Sequence, residues 1–372
     1  MSRRTALQVG LTVLPIIASL VITAILILAV GSDPVAVLEN VWSGAFRNTN
    51  SFAGVVNFWI PLVLASLGLV VTFTAGLWNI GVEGQMMMGA VFASWGAYSL
   101  TLPAELQVPI MIALAALGGV VWAALVGILK TRLRVHEIFG GVALNSLANV
   151  IAIYLISGPW MPPEGGSAQS TPPFPANAVL PPMLAEFPVS LLGLIIAFVS
   201  IVIVVLVLRG TRWGLQLRAT GKNARSALLL GVPTNKSALT ALMVCGVFAG
   251  MAGGYRVMFT YNSLRPLVSG GIGFLALLVV LLVSVRALWA PFVAFAFAVI
   301  LGGTTRLKVA MQLDQSLAGV LQGILVLMVL LSNGLRQRVL ERTPPDKTPG
   351  GAAHEPAADA SATILTTRGN QP

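Results

Sequence analysis

Residues 55–75 read VVNFWIPLVLASLGLVVTFTA and contain no charged side chain. Because about 20 apolar residues in a helix cross the hydrocarbon core of a bilayer, this stretch predicts a transmembrane helix. The whole chain is 56% hydrophobic and only 9% charged, whereas soluble globular proteins are about 25% charged. The composition therefore excludes a soluble enzyme, a nucleic-acid-binding module and a disulfide-stapled secreted domain. It indicates a polytopic membrane protein.

Similar apolar stretches recur along the chain. The predicted fold class is all-α, a polytopic membrane protein with about ten transmembrane helices. We place the predicted spans at residues 11–30, 55–75, 79–100, 108–129, 138–157, 189–208, 238–258, 270–286, 289–305 and 315–333.

The basic residues indicate the orientation of these spans. If the spans alternate from a cytoplasmic N-terminus, most of the 22 Lys and Arg residues fall on the cytoplasmic side, as the positive-inside rule requires. Both termini are then cytoplasmic, and the net charge of +10 needs no nucleic-acid partner. The outer side keeps Arg47, Arg256, Arg265, Arg306 and Lys308.

The chain divides into a transmembrane domain and a tail. Residues 1–342 form the predicted transmembrane domain, with an irregular proline-rich outer loop over 158–188 and a cytoplasmic loop over 209–236. Residues 343–372 are rich in Pro, Ala, Thr and Gly without apolar periodicity, which predicts a disordered cytoplasmic tail.

Two glycine-broken segments, NIGVEGQ at 79–85 and SGGIGF at 269–274, begin the third span of each predicted half of the chain. Paired interrupted spans are typical of a substrate path near the membrane midplane. Glycine also permits close packing of membrane helices, so the pattern leaves both interpretations open. The glycines at every fourth position from Gly246 to Gly254 predict a helix-contact face.

Glu83 is the acidic residue placed inside a predicted span. Carboxylates in membranes usually face a cavity or a partner, so Glu83 either accepts hydrogen bonds that stabilise a helix break or contacts substrate or protons. In a regular helix Asn79 and Glu83 lie on one face, while Gln85 points about 200° away from Glu83.

The loop over 209–236 contains a short predicted helix. Asn223 is a good N-cap, Ala224 to Leu230 form two turns, and Gly231 suits the position after the helix. Arg218, Lys222 and Arg225 surround this helix. It rests either on anionic lipid headgroups or against a cytoplasmic partner protein.

Motifs of enzymes are missing from the sequence. There is no P-loop, no nucleophile elbow, and no metal-ligand spacing around the two histidines. We therefore expect no catalytic residue, no metal and no cofactor in this chain.

The stretch NIGVEGQMMMG at residues 79–89 resembles the permeases of nucleoside ABC importers of the basic-membrane-protein type. That family lies within the wider group of ribose and branched-chain amino acid permeases. The resemblance extends to His136-Glu137-Ile138 with Leu144-Asn145, Ser157-Gly158-Pro159-Trp160, Leu217-Arg218-Ala219-Thr220-Gly221-Lys222-Asn223 with Gly231-Val232, and Gly250-Met251-Ala252-Gly253.

The resemblance implies a type II ABC importer permease in a bacterial cytoplasmic membrane. Its partners would be a cytoplasmic ATPase that binds the ATP, a second permease or a copy of itself, an external substrate-binding lipoprotein, and membrane lipid. The expected substrate is a nucleoside, and a simple sugar is the alternative substrate. A different class of protein, a proton-coupled secondary transporter that uses Glu83, is the alternative to an ABC importer.

The resemblance also assigns roles to residues. We expect a weakly binding substrate path lined by Asn79, Glu83, Gln85, Asn145, Gly271, Gly273 and Phe274. We expect residues 221–231 to form the coupling helix that receives ATP-driven motion, with contacts from Gly221, Lys222, Asn223, Arg225, Ala227, Leu228 and Gly231.

Overall fold

The computed structural model describes residues 21–29, 31–163 and 169–311, with isolated positions at 18, 323, 324 and 327. Helices dominate this part of the chain, and its one β-type pairing is an isolated bridge between Leu184 and Phe187. The helices are α1 (Val21–Ala29), α2 (Pro34–Phe46), α3 (Thr49–Thr74), α4 (Val82–Ser99), α5 (Ala104–Thr131), α6 (Glu137–Ser157), a 3₁₀ turn (Ala176–Ala178), α7 (Leu191–Gly210), α8 (Arg212–Lys222), α9 (Ala224–Leu229), α10 (Thr234–Tyr255) with a π-helical extension (Arg256–Tyr261), α11 (Ile272–Leu282) and α12 (Ala290–Met311).

Five of these helices are long and apolar enough to cross a membrane: α3, α5, α6, α7 and α10 with its extension. A sixth candidate arises if α1 and α2 together form one bent span. The chain is therefore a multi-pass membrane protein, and the number of ten spans stays a prediction. The predicted span at 315–333 and the predicted tail at 343–372 lie outside the described residues.

The predicted span at 270–286 is wrong in its length. The observed helix α11 has 11 residues, which at about 1.5 Å per residue gives roughly 16 Å. That is about half of the ~30 Å hydrocarbon core. Gly270 and Gly271 precede the helix with φ values of 61° and 77°, and such left-handed backbone cannot continue a helix.

Two helices, α2 and α8, are absent from the sequence-based prediction. Helix α2 begins after Asp33, whose side chain accepts a hydrogen bond from the Val35 N–H, and Pro34 occupies its first position. Helix α8 begins after Thr211, which accepts from the Gly214 N–H in the same way. Both starts carry ordinary N-cap residues, so the local signal for these helices is present in the sequence.

Helices α4, α5 and α10 form the centre of the bundle and meet through glycines. A Cβ atom added at Gly89 would lie 2.4 Å from the Cα of Gly250, and one added at Gly246 would lie 2.4 Å from the carbonyl oxygen of Gly119. The backbones of these helices are therefore in direct contact. The prediction that the glycines of residues 246–254 form a helix-contact face is confirmed.

The described part of the proline-rich loop follows an irregular path and binds the chain beyond α10. The Thr171 N–H donates to the carbonyl of Leu264 over 3.0 Å, and the Leu180 N–H donates to the carbonyl of Met258 over 3.0 Å. These backbone hydrogen bonds fasten the loop to the extension of α10 and to the segment that leads to α11.

Candidate functional site

The two glycine-broken segments are in direct contact through Glu83. This residue lies in the first turn of α4 and is 9% exposed. Its Oε1 accepts the N–H of Gly271 over 2.9 Å, and its Oε2 accepts the N–H of Gly273 over 2.7 Å. The first N–H groups of a helix lack intrahelical acceptors and carry the positive end of its dipole. Glu83 therefore caps α11.

Gly273 allows this contact because it has no side chain. A Cβ atom at position 273 would lie 2.3 Å from Oε2 of Glu83 and 3.0 Å from its backbone nitrogen. Gly271 is the N-cap of α11 and has a φ of 77°, where glycine is favoured. Among the predicted path residues, Phe274 is exposed and the other six are buried or half-buried.

The prediction that Asn79 and Glu83 share one helix face is wrong. Helix α4 begins at Val82, so Asn79 lies in the turn before it and folds back. Its amide exchanges two hydrogen bonds of 3.2 Å with the amide of Gln85, and its Nδ2 lies 3.1 Å from Sγ of Cys245. Both amides are fully buried, and each provides a hydrogen-bond donor and an acceptor for the other.

Asn145 connects α6 to the same turn. Its Oδ1 accepts the N–H of Gly84 over 2.7 Å, and its Nδ2 donates to the carbonyl of Ile80 over 2.9 Å. A Cβ atom at Gly84 would lie 2.8 Å from Oδ1 of Asn145. Asn145 therefore satisfies backbone groups that the break before α4 leaves without helical partners.

Arg256 belongs to this site, although the sequence-based charge count includes it only among the basic residues on the outer side of the membrane. It opens the π-helical extension of α10 and is 6% exposed. Its Nε donates to the carbonyl of Val268 over 3.2 Å, and its Nη2 donates to the hydroxyl of Tyr261 over 2.6 Å. The guanidinium group lies 4.7 Å from the centre of the Tyr261 ring.

Arg256 and Glu83 hold the segment before α11 from two sides. Arg256 bonds Val268 in this segment, and Glu83 bonds Gly271 at its end and Gly273 in the first turn of α11. An arginine inside the predicted span at 238–258 was the available signal, because ionisable residues within a membrane span are costly unless they have partners.

The predicted coupling residues lie on α8 and α9. The helix predicted over 221–231 is two helices, since Gly221 and Lys222 end α8 and Asn223 separates it from α9. The predicted cap is confirmed: Oδ1 of Asn223 accepts the N–H of Ser226 over 3.0 Å. Gly231 has a φ of 81°, as the predicted position after the helix requires.

One side of this pair of helices is anchored and the other is exposed. A Cβ atom at Gly221 would lie 2.2 Å from the carbonyl oxygen of Thr74, so α8 touches the end of α3, and Ala227 is buried. Lys222 and Arg225 are exposed. Three consecutive leucines are also exposed, by 59%, 83% and 83% of their surface: Leu228, Leu229 and Leu230.

The described residues contain no group of three or more His, Cys, Asp or Glu side chains that could hold a metal ion.

Comparison of the sequence with known proteins places the chain among transporters. A model of the family described as "Branched-chain amino acid transport system / permease component" matches residues 51–330. The glucose ABC transporter permease protein TsgB13 of Haloferax volcanii is 28% identical over 342 residues, covering 89% of this chain and 90% of the relative. The guanosine ABC transporter permease protein NupP of Bacillus subtilis is 25% identical over 323 residues, covering 86% and 92%.

The nucleoside ABC transporter permease protein NupB of Lactococcus lactis is 25% identical over 304 residues, covering 80% of this chain and 84% of the relative. No solved structure matches the chain. Proteins of this kind transport solutes and are not enzymes. Because the family model covers well over half of the chain, the protein belongs to the permease component family of branched-chain amino acid type ABC transport systems.

Proposed function

We propose that the chain forms the translocation path of an ABC importer for nucleosides. The observation that carries this proposal is the similarity to the guanosine and nucleoside permeases NupP and NupB, which extends over at least 80% of this chain. We further propose a type II permease fold with about ten spans, both termini in the cytoplasm, and a bacterial cytoplasmic membrane as its location.

The proposed partners follow from two features of the chain: its sequence has no P-loop, and helix α9 exposes leucines. A cytoplasmic ATPase would bind the ATP and dock on α9, where Leu229 and Leu230 expose 83% of their surface. A leucine that becomes buried contributes about 1.5–3 kcal/mol, which supports a docked α9. A second permease or a copy of this chain, and an external substrate-binding lipoprotein, would complete the transporter.

The proposed substrate path runs beside the break before α11. Phe274 supplies an exposed aromatic ring there. Glu83 and Asn145 hold the surrounding backbone through hydrogen bonds to Gly271, Gly273, Gly84 and Ile80. The buried amides of Asn79 and Gln85 bond each other. Since both carboxylate oxygens of Glu83 already accept backbone hydrogen bonds, a positioning role fits this residue better than proton transport.

A simple sugar is the second candidate substrate. The similarity to the glucose permease TsgB13 favours it, because the identity of 28% over 89% of this chain is higher than the 25% to the nucleoside permeases NupP and NupB. The proposed fold and partners are the same for both substrates.

Uptake in cells distinguishes the candidates. A strain without the gene is complemented with the wild-type chain, and the accumulation of labelled guanosine and of labelled glucose is measured. We expect restored guanosine uptake that unlabelled nucleosides compete away and glucose does not. Restored glucose uptake alone would overturn the nucleoside assignment. An ATPase partner with a disabled P-loop serves as the control, and uptake that continues with it would contradict an ABC importer.

A further inference from the structure

A cavity of about 590 Å³ lies beside the ends of α3, α7 and α8 and the turn that follows α11. Four basic side chains line it, and we name it the basic pocket: Arg209, Arg218, Lys222 and Arg286. Two of them come from α8, one from the end of α7 and one from the turn after α11. Distant parts of the chain therefore bring four positive charges to one cavity.

These charges are not neutralised within the described part of the chain. No Asp or Glu lines the basic pocket, and no described carboxylate forms an ion pair with any of its four cations. Arg218 donates to the carbonyl of Leu208, which anchors its guanidinium group at the pocket wall. Like charges held together repel, so an anion in this cavity is favoured.

The turn that presents Arg286 is strained. Ser284 and Val285 have φ values of 50° and 64°, and left-handed backbone is a genuine outlier for a β-branched residue such as valine. The turn is held by hydrogen bonds from the Ser284 N–H to Leu281 and from the Val285 N–H to Val280, both 3.1 Å. Strain of this kind persists where the surrounding structure fixes it, often beside a ligand.

The wall of the basic pocket continues into apolar membrane-facing surface. Val205 and Leu208 of α7 line the cavity, and nearby on the same helix Val202 and Leu206 expose 56% and 63% of their surface. Helix α7 is the most hydropathic of the candidate spans. A ligand in this pocket can therefore place a charged group among the cations and a hydrocarbon chain along α7.

We propose that the basic pocket binds the phosphate headgroup of an anionic phospholipid whose acyl chains lie along α7. Basic pockets between membrane helices are suited to such headgroups, and the adjoining apolar face selects a lipid over a free phosphate ion. The bound lipid would join α7, α8 and the turn after α11, so it would stabilise the helix that leads to α9. This inference does not depend on which solute is transported.

The test compares two double variants with equal charge. Arg209→Gln with Arg286→Gln removes two pocket cations, while Arg132→Gln with Lys236→Gln removes two exposed cations elsewhere. Each purified protein is delipidated in detergent, and the binding of phosphatidylglycerol and of zwitterionic phosphatidylcholine is titrated by native mass spectrometry. A cation near anionic lipid contributes about fivefold in affinity, so we expect roughly 25-fold weaker phosphatidylglycerol binding for the pocket variant. The control variant should bind like the wild type.

Three results would overturn the proposal. The first is equal phosphatidylglycerol binding by the pocket variant and the control. The second is binding of inorganic phosphate as tight as that of phosphatidylglycerol, which would indicate a free-anion site. The third is loss of phosphatidylglycerol binding when the ATPase is assembled on the permease, which would assign the pocket to acidic groups of that subunit.

Discussion

The carboxylate of Glu83 and the backbone N–H of Gly273 are 190 residues apart in the sequence and 2.7 Å apart in the structure. This hydrogen bond joins the glycine-broken start of α4 to that of α11. The start of α4 and the start of α11, each of which follows a break in the helical backbone, therefore support each other. The region predicted to line a substrate path is thus a closely packed junction, in which Glu83 and Asn145 bond backbone groups.

Substitution of Glu83 by Gln should destabilise this junction. The glutamine oxygen can accept one N–H, but its NH2 group then faces the other donor and leaves it unsatisfied. An unsatisfied buried donor costs about 1–3 kcal/mol. We expect a lower thermal unfolding midpoint in detergent and reduced uptake at every pH. Glu105→Gln, at an exposed position in the first turn of α5, is the control. Normal stability with uptake that no longer depends on a proton gradient would instead identify a proton carrier.

Substitution of Gly273 by Ala should have a similar effect for a steric reason. The added methyl group would meet Oε2 of Glu83 at 2.3 Å, and overpacking of this kind costs about 1–3 kcal/mol. Gly54 is a matched control, because a Cβ atom there meets no heavy atom within 4 Å. Gly54→Ala should be neutral or stabilise α3 by up to about 1 kcal/mol. If both variants unfold at the wild-type temperature, the junction is looser than the structure indicates.

Two substitutions of Arg256 distinguish the effect of its positive charge from the effect of the hydrogen bonds that its guanidinium group donates. Arg256→Lys keeps the positive charge but cannot reproduce both hydrogen bonds to Val268 and Tyr261. Arg256→Gln loses the charge as well, and a hydrogen bond involving a charged group is worth about 1.5–3 kcal/mol. We expect unfolding midpoints in the order wild type, Lys variant, Gln variant. Arg265, exposed on the same Tyr261 ring at 4.8 Å, supplies the control Arg265→Gln. Equal midpoints for all four proteins would show that Arg256 does not support the segment.

The exposed leucines of α9 should matter for assembly and not for folding. Leu229→Ser with Leu230→Ser leaves the permease stable because both side chains are 83% exposed. We expect loss of ATPase copurification and of uptake. Leu184→Ser, an exposed leucine in the loop predicted on the opposite side of the membrane, should leave both intact. Unchanged copurification of the ATPase with the double variant would show that α9 rests on lipid.

A proline in α9 tests whether the helix transmits motion. The N–H of Ala227 donates to the carbonyl of Asn223 over 2.9 Å, so Ala227→Pro removes this bond and breaks the helix. We expect membrane insertion to continue while ATP hydrolysis becomes uncoupled from uptake. Ala224→Pro is the matched control, since proline is accepted at the first position of a helix. Equal coupling in both variants would exclude a role for a rigid α9.

Local signals predicted the local features of this molecule. The caps of α9 and the glycine face of α10 follow from side chains within one or two turns, and the structure confirms both. The contact of Glu83 with α11 could not be predicted, because no periodicity relates residues 190 positions apart. The prediction that Asn79 and Glu83 share a helix face was wrong because the helix begins at Val82, three residues after Asn79. The role of Arg256 was missed because counting charges assigns a residue to one side of the membrane and gives no information about its neighbours in the fold.

The glycine contacts among α4, α5 and α10 restrict how the transporter can move. A Cβ atom at Gly253 would lie 1.9 Å from the carbonyl oxygen of Met86, and one at Gly250 would lie 2.1 Å from that of Ala115. A rotation of α10 about its own axis would turn these glycines away and bring larger side chains against the carbonyls. We therefore expect the three helices to move together. Opening and closing would then come from movement of these helices as a unit, or from helices outside this group such as α7.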